Sequence, residues 1–426
     1  MLIAPVSVRP LLFRSLMACA AFLSMTAQAV AQNDVDALRA DAAWLLDLID
    51  EQYAYLDRFG GQNPARDALG VDISAINTPT DLLRFSECAL NSLKDHHAIM
   101  GVSAPDSPGI VPSYSDIWIE LRGDRYVVTE VRSGSPAERA GVVPGYALIG
   151  VNGIPVNESI DTLCGGPYET DADRSFAARM ISVGRRDRPR DLRFETPSGE
   201  VANLELASLY TENTPWPGPI TADLFEDSIL ILTLNDSLGE DSFVSAIADA
   251  LQGQSPAGVI IDLRDTPGGG NTLNARALMG RFVNEPTGYQ RHSIPAIEQR
   301  TGIPRHWVEE VSPLGPDLSD IPLVVLVGRW TGSMGEGTAI GLDAAANATI
   351  VGAPMAQLRG AIFDIAMPNT GWIVKLPTEA LFHVDGRPRE AVMPEIIVDD
   401  VEARGGDVDR GMDAALAEIR RQIANK

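Results

Sequence analysis

The chain has 426 residues, which is enough for two or three domains with cores of their own. Its 58 acidic and 34 basic residues give a formal net charge of -24. A protein this negative is a poor partner for nucleic acid or an anionic membrane surface, so we expect neither as a partner. Beyond residue 31 the sequence has no uninterrupted apolar run of about 18 residues, and we therefore also expect no membrane span.

Residues 1–31 have the features of a secretory signal peptide. Arg9 and Arg14 form a positive start, an apolar stretch follows, and Ala29-Val30-Ala31 offers a small-residue cleavage site. A lipoprotein-type box ending at Cys19 is the second interpretation. We predict that residues 1–31 are removed and that the mature protein is secreted or periplasmic.

Two cysteines follow the predicted signal peptide, Cys88 and Cys164. An oxidising compartment would permit a disulfide between them. The sequence is equally compatible with two small, buried apolar side chains. The pairing is therefore left open.

Residues 32–110 have a helical pattern. Asn33-Asp34 can cap one helix, and Thr78-Pro79 begins a second helix that ends near residues 94–98. A Pro- and Ser-rich stretch over 103–115 then predicts a linker.

Residues 111–208 alternate strands and turns, with a helical insertion after residue 157. The short helix 136–140 and the Pro-Gly and Asn-Gly turns after it resemble a bacterial PDZ domain. That resemblance implies binding of peptide ends by strand addition. The expected carboxylate-binding glycines are replaced by Tyr114-Ser115-Asp116, where Asp116 would repel a terminal carboxylate. Peptide capture and a structural gate over the catalytic domain both remain open.

Residues 209–426 alternate strands with helices, which predicts a layered α/β domain. Strands are expected at 229–234, 259–263 and 321–328, and helices at 243–251, 273–282 and 338–346. A final amphipathic helix is expected over 402–426.

Ser333 follows the buried strand 321–328 and precedes a helix. On such a turn a serine hydroxyl is exposed beside free helix amides, which combines a nucleophile with an anion-stabilising pocket. An ordinary helix N-cap is the alternative interpretation. Glu336, in the first helical turn, is expected only to complement the helix dipole.

Three consecutive glycines, 268–270, follow the predicted strand 259–263. Glycines let backbone amides approach another group closely, and such amides can stabilise the oxyanion of acyl transfer. A plain tight turn is the alternative. The run is not a phosphate-binding loop, because no Gly-Lys-Ser/Thr follows it.

Taken in order, Asp262-Leu263-Arg264-Asp265 with its glycines and the Ser333 segment, behind a PDZ-like region, resemble the tail-specific (C-terminal processing) peptidase family. The resemblance implies a crotonase-like (ClpP/crotonase) βαβ catalytic domain and a serine-type endopeptidase that works through an acyl-enzyme. It implies peptide or protein substrates and a possible homo-oligomer, and we expect no cofactor and no metal. Carried over, Ser333 is the nucleophile, and the amides of Gly268 or Gly269 and of Met334 form the oxyanion hole.

The general base distinguishes the branches of that family. Many members use a lysine about two dozen residues after the serine, but residues 351–360 contain none, and Arg359 does not release its proton near neutrality. The tricorn-like branch uses a histidine ahead of the PDZ domain and a glutamate near the C-terminus. The residues that match are His97, with His96 as its supporting neighbour, and Glu390, with Asp385 as the alternative acid. Between His96 and His97, the resemblance favours His97.

Two other functions fit the same sequence. One is a catalytically silent protein that binds peptides or apolar ligands on this fold. The other is an acyl-CoA enzyme of the crotonase type, against which export and the lack of a basic phosphate-binding cluster argue.

Overall fold

The structure is a computed structural model that describes residues 34–212, 217–226, 228–235, 238–239, 242–398 and 409–426. The predicted signal peptide over 1–31 and the start of the predicted C-terminal helix lie outside the described residues. The helices are α1 34–52, α2 Pro79–Asn91, α3 Pro136–Arg139, α4 Val156–Asp161, α5 Asp171–Val183, α6 Phe243–Leu251, α7 Thr272–Met279, α8 Pro295–Thr301, α9 Met334–Ala346 and α10 Arg410–Ala424.

The strands of the described residues form three sheets. They are β1 Ile99–Met100, β2 Ile117–Arg122, β3 Arg125–Val131, β4 Ala147–Val151, β5 Ile154–Pro155, β6 Arg190–Glu195, β7 Val201–Leu206, β8 Ile220–Phe225, β9 Ile229–Leu234, β10 Gly258–Asp262, β11 Thr287–Ser293, β12 His306–Val311, β13 Leu323–Val327, β14 Thr349–Gly352, β15 Ala361–Ala366, β16 Ile373–Phe382 and β17 Ile396–Ile397.

The first sheet is the layered α/β unit that the sequence predicts. Its order is β17-β14-β13-β10-β9-β8, and all its pairs are parallel except β8 with β9. Every residue of β10 and β13 is buried, as strands covered on both faces require. The carboxyl ends of these two neighbours carry the glycine turn and Ser333, so the topology alone brings those two motifs together.

The second sheet, with the order β1-β16-β11-β12 and β15 paired to β16, is antiparallel and was not predicted from the sequence. It shares one apolar core with the N-terminal helices, in which Leu45 and Leu90 pack with Leu376. Strand β1 begins two residues after His97, and Ile99 pairs with Lys375 of β16. This pairing anchors the segment that bears His97 to the second sheet.

The third sheet comprises β2-β3-β4-β6-β7 with β5 beside β4, all antiparallel, and α5 packs against it. Asp116, just before β2, is buried and forms an ion pair with Arg190, and it accepts a hydrogen bond from the amide of Ala137 at 3.1 Å. The expected repulsion of a ligand carboxylate by Asp116 is therefore wrong, because the Asp116 carboxylate is buried and paired with the Arg190 guanidinium.

Cys88 of α2 and Cys164, which follows α4, form a disulfide with a Cα–Cα distance of 5.1 Å. The bond settles the alternative that the sequence left open, and it ties the N-terminal helices to the third sheet. Among the described residues, no helix is long and apolar enough to cross a membrane.

Candidate active site

Ser333 lies on the turn from β13 to α9 with φ 51° and ψ -111°. A positive φ is strained for a residue other than glycine, at a cost of roughly 1–3 kcal/mol, so the surrounding contacts must hold it. The turn is held by the amide of Gly332, which donates to the carbonyl of Thr266 at 2.9 Å, and by the Thr331 hydroxyl, which donates to the carbonyl of Leu263 at 2.8 Å. The strained turn is thus fixed against the glycine loop after β10.

His97 meets Ser333 across 236 positions of sequence. Its Nε2 lies 2.9 Å from the Ser333 Oγ, and its Nδ1 lies 2.7 Å from the carbonyl oxygen of Arg359. A carbonyl can only accept, so Nδ1 carries the hydrogen and Nε2 presents its lone pair to the hydroxyl. This is the tautomer that a general base for Ser333 requires.

The environment of His97 favours its neutral form. Burial and, to a smaller extent, the positive charge of Arg389 lower the pKa of His97 to about 4, although the negative charge of Asp95 opposes this shift. Asp95 is itself fixed, because it accepts from the His97 amide at 3.0 Å and from the Tyr53 hydroxyl at 2.9 Å. An unprotonated imidazole at neutral pH is the form that can take a proton from serine.

His96 faces away from Ser333 and contacts α5, which packs against the third sheet. Its Nε2 accepts a hydrogen bond from the Nε of Arg179 at 3.0 Å, and its ring stacks on Phe176 with centroids 4.3 Å apart. Of the two adjacent histidines, only His97 is hydrogen-bonded to Ser333 in the described structure.

The predicted contact between Glu390 and the His97 ring is not among the hydrogen bonds of the described residues. The single Nδ1 hydrogen is already given to the Arg359 carbonyl. Glu390 lies in a short 3-10 helix, Arg389–Ala391, and its Oε2 is buried without a hydrogen-bond partner in the described part of the chain. Burial raises the pKa of Glu390, and the charges of Arg359 and Arg389 partly offset this effect.

The alternative acid, Asp385, also lies elsewhere. Its carboxylate is 3.0 Å from His383 Nδ1, and it accepts from Arg387 at 2.7 Å. It therefore belongs to a separate charged cluster.

Glu336 does more than complement the helix dipole, which corrects the expectation from the sequence. It is fully buried; its Oε2 accepts from the Ser333 amide at 2.7 Å, and the carboxylate also accepts from the Leu358 amide at 3.2 Å. Burial raises the pKa of Glu336 to about 7, although Arg389, 3.9 Å away, opposes that shift. The spacing Ser-x-x-Glu was the available signal, because it is the capping-box pattern.

Arg389 also supports the position of His97, although no pattern in the sequence indicates this. It is buried, and its Nη2 donates to the carbonyls of Leu358 at 2.7 Å and of Gly360 at 2.9 Å. The carbonyl of Arg359, which holds His97, lies between these two. Glu336 and Arg389 therefore fix the segment 358–360 relative to Ser333.

The glycine loop, residues 268–270, lies against Ser333. Gly268 has φ 128°, and a Cβ on this residue would lie 3.0 Å from the Ser333 Cβ. In the described part of the chain the amides of Gly268 and Gly269 donate no hydrogen bond to another backbone carbonyl. Met334 opens α9, where the first amides lack partners within the helix. Gly268 and Met334 therefore lie beside Ser333, and the N-terminus of α9 carries the positive end of a helix dipole, which stabilises negative charge.

The third sheet contacts the turn ahead of Ser333. The amide of Arg329 donates to Glu130 Oε2 at 3.1 Å, and the guanidinium of Arg329 donates to Glu120 at 2.6 Å. The indole of Trp330 donates to the carbonyl of Ser115 at 2.8 Å. The third sheet and its helix α5 thus contact the site in two places. One is the turn before Ser333, and the other is His96, which precedes His97.

Comparison with known proteins places this geometry in context. Residues 228–402 match the family model described as Peptidase family S41. The structure is similar to the photosystem II D1 C-terminal processing protease, with a TM-score of 0.54 and 17% identity over 85% of this chain and 93% of that one. It is also similar to mature CPAF complexed with lactacystin, with a TM-score of 0.60 and 16% identity over 92% of this chain and 99% of that one. At such identities the likeness to these structures shows a common fold. No curated protein matches the sequence.

Proposed function

We propose that this protein, whose residues 228–402 match the Peptidase family S41 model, is an exported serine endopeptidase with Ser333 as its nucleophile and His97 as its base. The observation that carries the proposal is the 2.9 Å contact between His97 Nε2 and Ser333 Oγ, with Nδ1 occupied by a carbonyl. This contact joins a nucleophile to a base in the correct tautomer.

The reaction follows from these positions. Ser333 Oγ attacks the carbonyl carbon of the scissile peptide bond while His97 Nε2 takes the hydroxyl proton. The C–N bond then breaks, the imidazolium returns the proton to the leaving amine, and the substrate acyl group stays on Ser333 as an ester. Water, deprotonated by His97, hydrolyses the ester and regenerates the hydroxyl. The amides of Gly268 or Gly269 and of Met334 stabilise the oxyanion in both steps.

We assign Glu390 a supporting role in a Ser-His-Glu arrangement without direct contact to the imidazole. Its carboxylate interacts electrostatically with Arg359, and the carbonyl of that residue holds His97. The charge of Asp95 favours the imidazolium directly, as the carboxylate does in a catalytic triad.

The proposal includes export to the periplasm or the cell exterior. The motivating features are the charged, apolar and small-residue pattern of residues 1–31 and the Cys88–Cys164 disulfide, which suits an oxidising compartment. Mass spectrometry of the protein recovered from its host would test export, with an N-terminus after residue 31 as the expected result.

We further propose that residues 111–208 form a PDZ-like domain and that residues 209–426 form a crotonase-like catalytic domain. The first is motivated by the antiparallel sheet with a helix beside its edge strand β2, and the second by the parallel strands β9, β10, β13 and β14 with their helices. In both parts the strands and helices occur along the chain in the same order as the sequence motifs on which the resemblance rests.

A fluorophosphonate probe tests the proposed chemistry without knowledge of the substrate. We expect the folded protein to react and mass spectrometry to locate the adduct on Ser333, with no adduct in Ser333→Ala. Labelling at another serine would contradict the assignment. A folded protein that stays unlabelled would instead favour the silent binding protein.

A further inference from the structure

Helix α5 covers the free edge of strand β2. Strand β2 ends the order of the third sheet, so one of its edges has no neighbouring strand there. The amide of Leu121 donates to the Ser175 hydroxyl at 2.8 Å, and Arg179 Nη1 donates to the carbonyl of Ile119 at 3.0 Å. These are the backbone groups that an added peptide strand would use. In this arrangement two side chains of α5 satisfy them instead.

Arg179 also reaches the active-site segment. Its Nε donates to His96 Nε2 at 3.0 Å, and its guanidinium lies over the Trp118 ring, 4.6 Å from the centroid. A single side chain therefore joins the edge of the third sheet to the residue that precedes the base. Because arginine can only donate, His96 must accept at Nε2 and remain neutral, with its hydrogen on Nδ1.

A second side chain of α5, that of Phe176, packs against the His96 ring. Phe176 stacks on His96 at an interplanar angle of 24°, and it lies three residues before Arg179 on the same helical face. The His96 ring thus has its position fixed by stacking and by a hydrogen bond. On the other side of His97, strand β1 is paired with β16 from Ile99 onward.

We propose that Arg179 is a positioning residue for the base His97, acting through His96. This inference rests on the proposed function, because it needs His97 to act on Ser333. Arg179 does not touch the reacting atoms. Its hydrogen bond and the Phe176 stack fix the backbone of residue 96, so the ring of His97 is held at the distance that Ser333 requires. The third sheet thereby sets the reactivity of the catalytic pair.

The test measures the limiting rate constant for fluorophosphonate labelling, kinact, separately from the apparent affinity KI. Arg179→Met removes both donors while keeping an apolar chain over Trp118. We expect kinact to fall roughly 10- to 100-fold, because a small misplacement of a base is costly, with KI unchanged. Arg179→Lys keeps one donor and should give an intermediate loss. Arg188→Met, on an exposed side chain paired only with its neighbour Asp187 in the described structure, is the matched control.

A double-mutant cycle separates positioning from general stability. His96→Leu removes the acceptor and His96→Gln retains one, so the losses from Arg179→Met and His96→Leu should not add. All labelling is done below the thermal transition of each variant. If Arg179→Met is not folded, the cycle is run with Arg179→Lys, whose kinact is expected below that of the wild type.

Two results would overturn the inference: a wild-type kinact in the folded Arg179 variant, or full additivity with His96→Leu. Labelling of the wild type at Ser333 is measured in the same series. If the wild type is unlabelled, the proposed function has failed. If the wild type is labelled and the Arg179 variant matches it, only the positioning role has failed.

Discussion

The Nδ1 of His97 donates its hydrogen to the carbonyl of Arg359 at 2.7 Å, so a backbone group holds the ring position that a carboxylate holds in many catalytic triads. Arg389 in turn holds the two residues that flank Arg359, because it donates hydrogen bonds to the carbonyls of Leu358 and Gly360. Orientation of the base therefore depends on the chain path of residues 358–360. The charge of Asp95 acts on the imidazole without a hydrogen bond to the ring.

The first prediction concerns pH. His97 must be neutral to accept the Ser333 proton, and its pKa in the folded protein, about 4, lies below the ordinary value of 6.5. The labelling rate constant should therefore rise as pH increases through about 4 and should be level before pH 6.5 is reached. A pH profile of kinact, recorded where circular dichroism shows folded protein, checks this. A midpoint at or above 6.5 would show that the environment of the base differs from the one described.

The second prediction concerns Gly268. Gly268→Ala places a Cβ 3.0 Å from the Ser333 Cβ and strains a backbone at φ 128°, so it should displace the proposed oxyanion donor and lower kinact by about 10²–10³. Gly199→Ala is the control, because Gly199 has φ 86° and open space around it on the turn between β6 and β7. Both variants should lose roughly 1 kcal/mol of stability, but only Gly268→Ala should lose labelling. Equal labelling of the two would refute the placement of the glycine loop beside the nucleophile.

The third prediction concerns the disulfide. Cys88 and Cys164 are separated by 76 residues, so their cross-link restricts a long loop of the unfolded chain. The Cys88→Ala/Cys164→Ala double variant should lose about 2–4 kcal/mol in the free energy of unfolding. Urea unfolding measures this, with the reduced wild type expected to match the variant. If oxidised wild type and variant unfold at the same urea concentration, the bond does not stabilise the protein.

The fourth prediction concerns Glu336. Its pKa of about 7 in the folded protein lies above the ordinary 4.5, so the native state holds this proton more tightly than the unfolded state does. Stability from this group is present below about pH 4.5 and is lost as pH rises through 7, by on the order of 3 kcal/mol. Glu336→Gln keeps an acceptor for the Ser333 amide but does not ionise, and it should flatten that decline. Glu336→Ala removes the acceptor and should lower both stability and kinact.

Unfolding in urea at about pH 5 and about pH 8 compares these variants with the wild type. If Glu336→Gln loses stability with pH as steeply as the wild type, another group causes the decline.

The elements that could be predicted from the sequence are those with a regular spacing of apolar residues or a recognisable motif. The expected strand 229–234 and helix 243–251 agree with β9 and α6, because both are apolar at the spacing of their element and end at turn residues. The resemblance to tail-specific peptidases is confirmed by the family match. The structure also brings Ser333 and His97 together, which no local pattern could have shown without the resemblance.

The contacts around the base could not be read from the sequence. Arg359 contributes a backbone carbonyl, and any residue type has one, so its identity carries no signal. Arg389 and Arg179 act through tertiary contacts with segments far away in the chain. Strands β11 and β16 were missed because they mix polar, charged and Pro residues, and their pairing in a sheet depends on long-range contacts.

The most direct measurement of the central claim is the labelling rate of a His97→Ala variant. We expect fluorophosphonate labelling of Ser333 to slow by about 10²-fold or more, with thermal unfolding close to that of the wild type, because the hydroxyl then lacks its proton acceptor. His96→Gln, labelled in parallel, should retain far more of the wild-type rate. A folded His97→Ala variant that labels at the wild-type rate would contradict the pairing of His97 with Ser333.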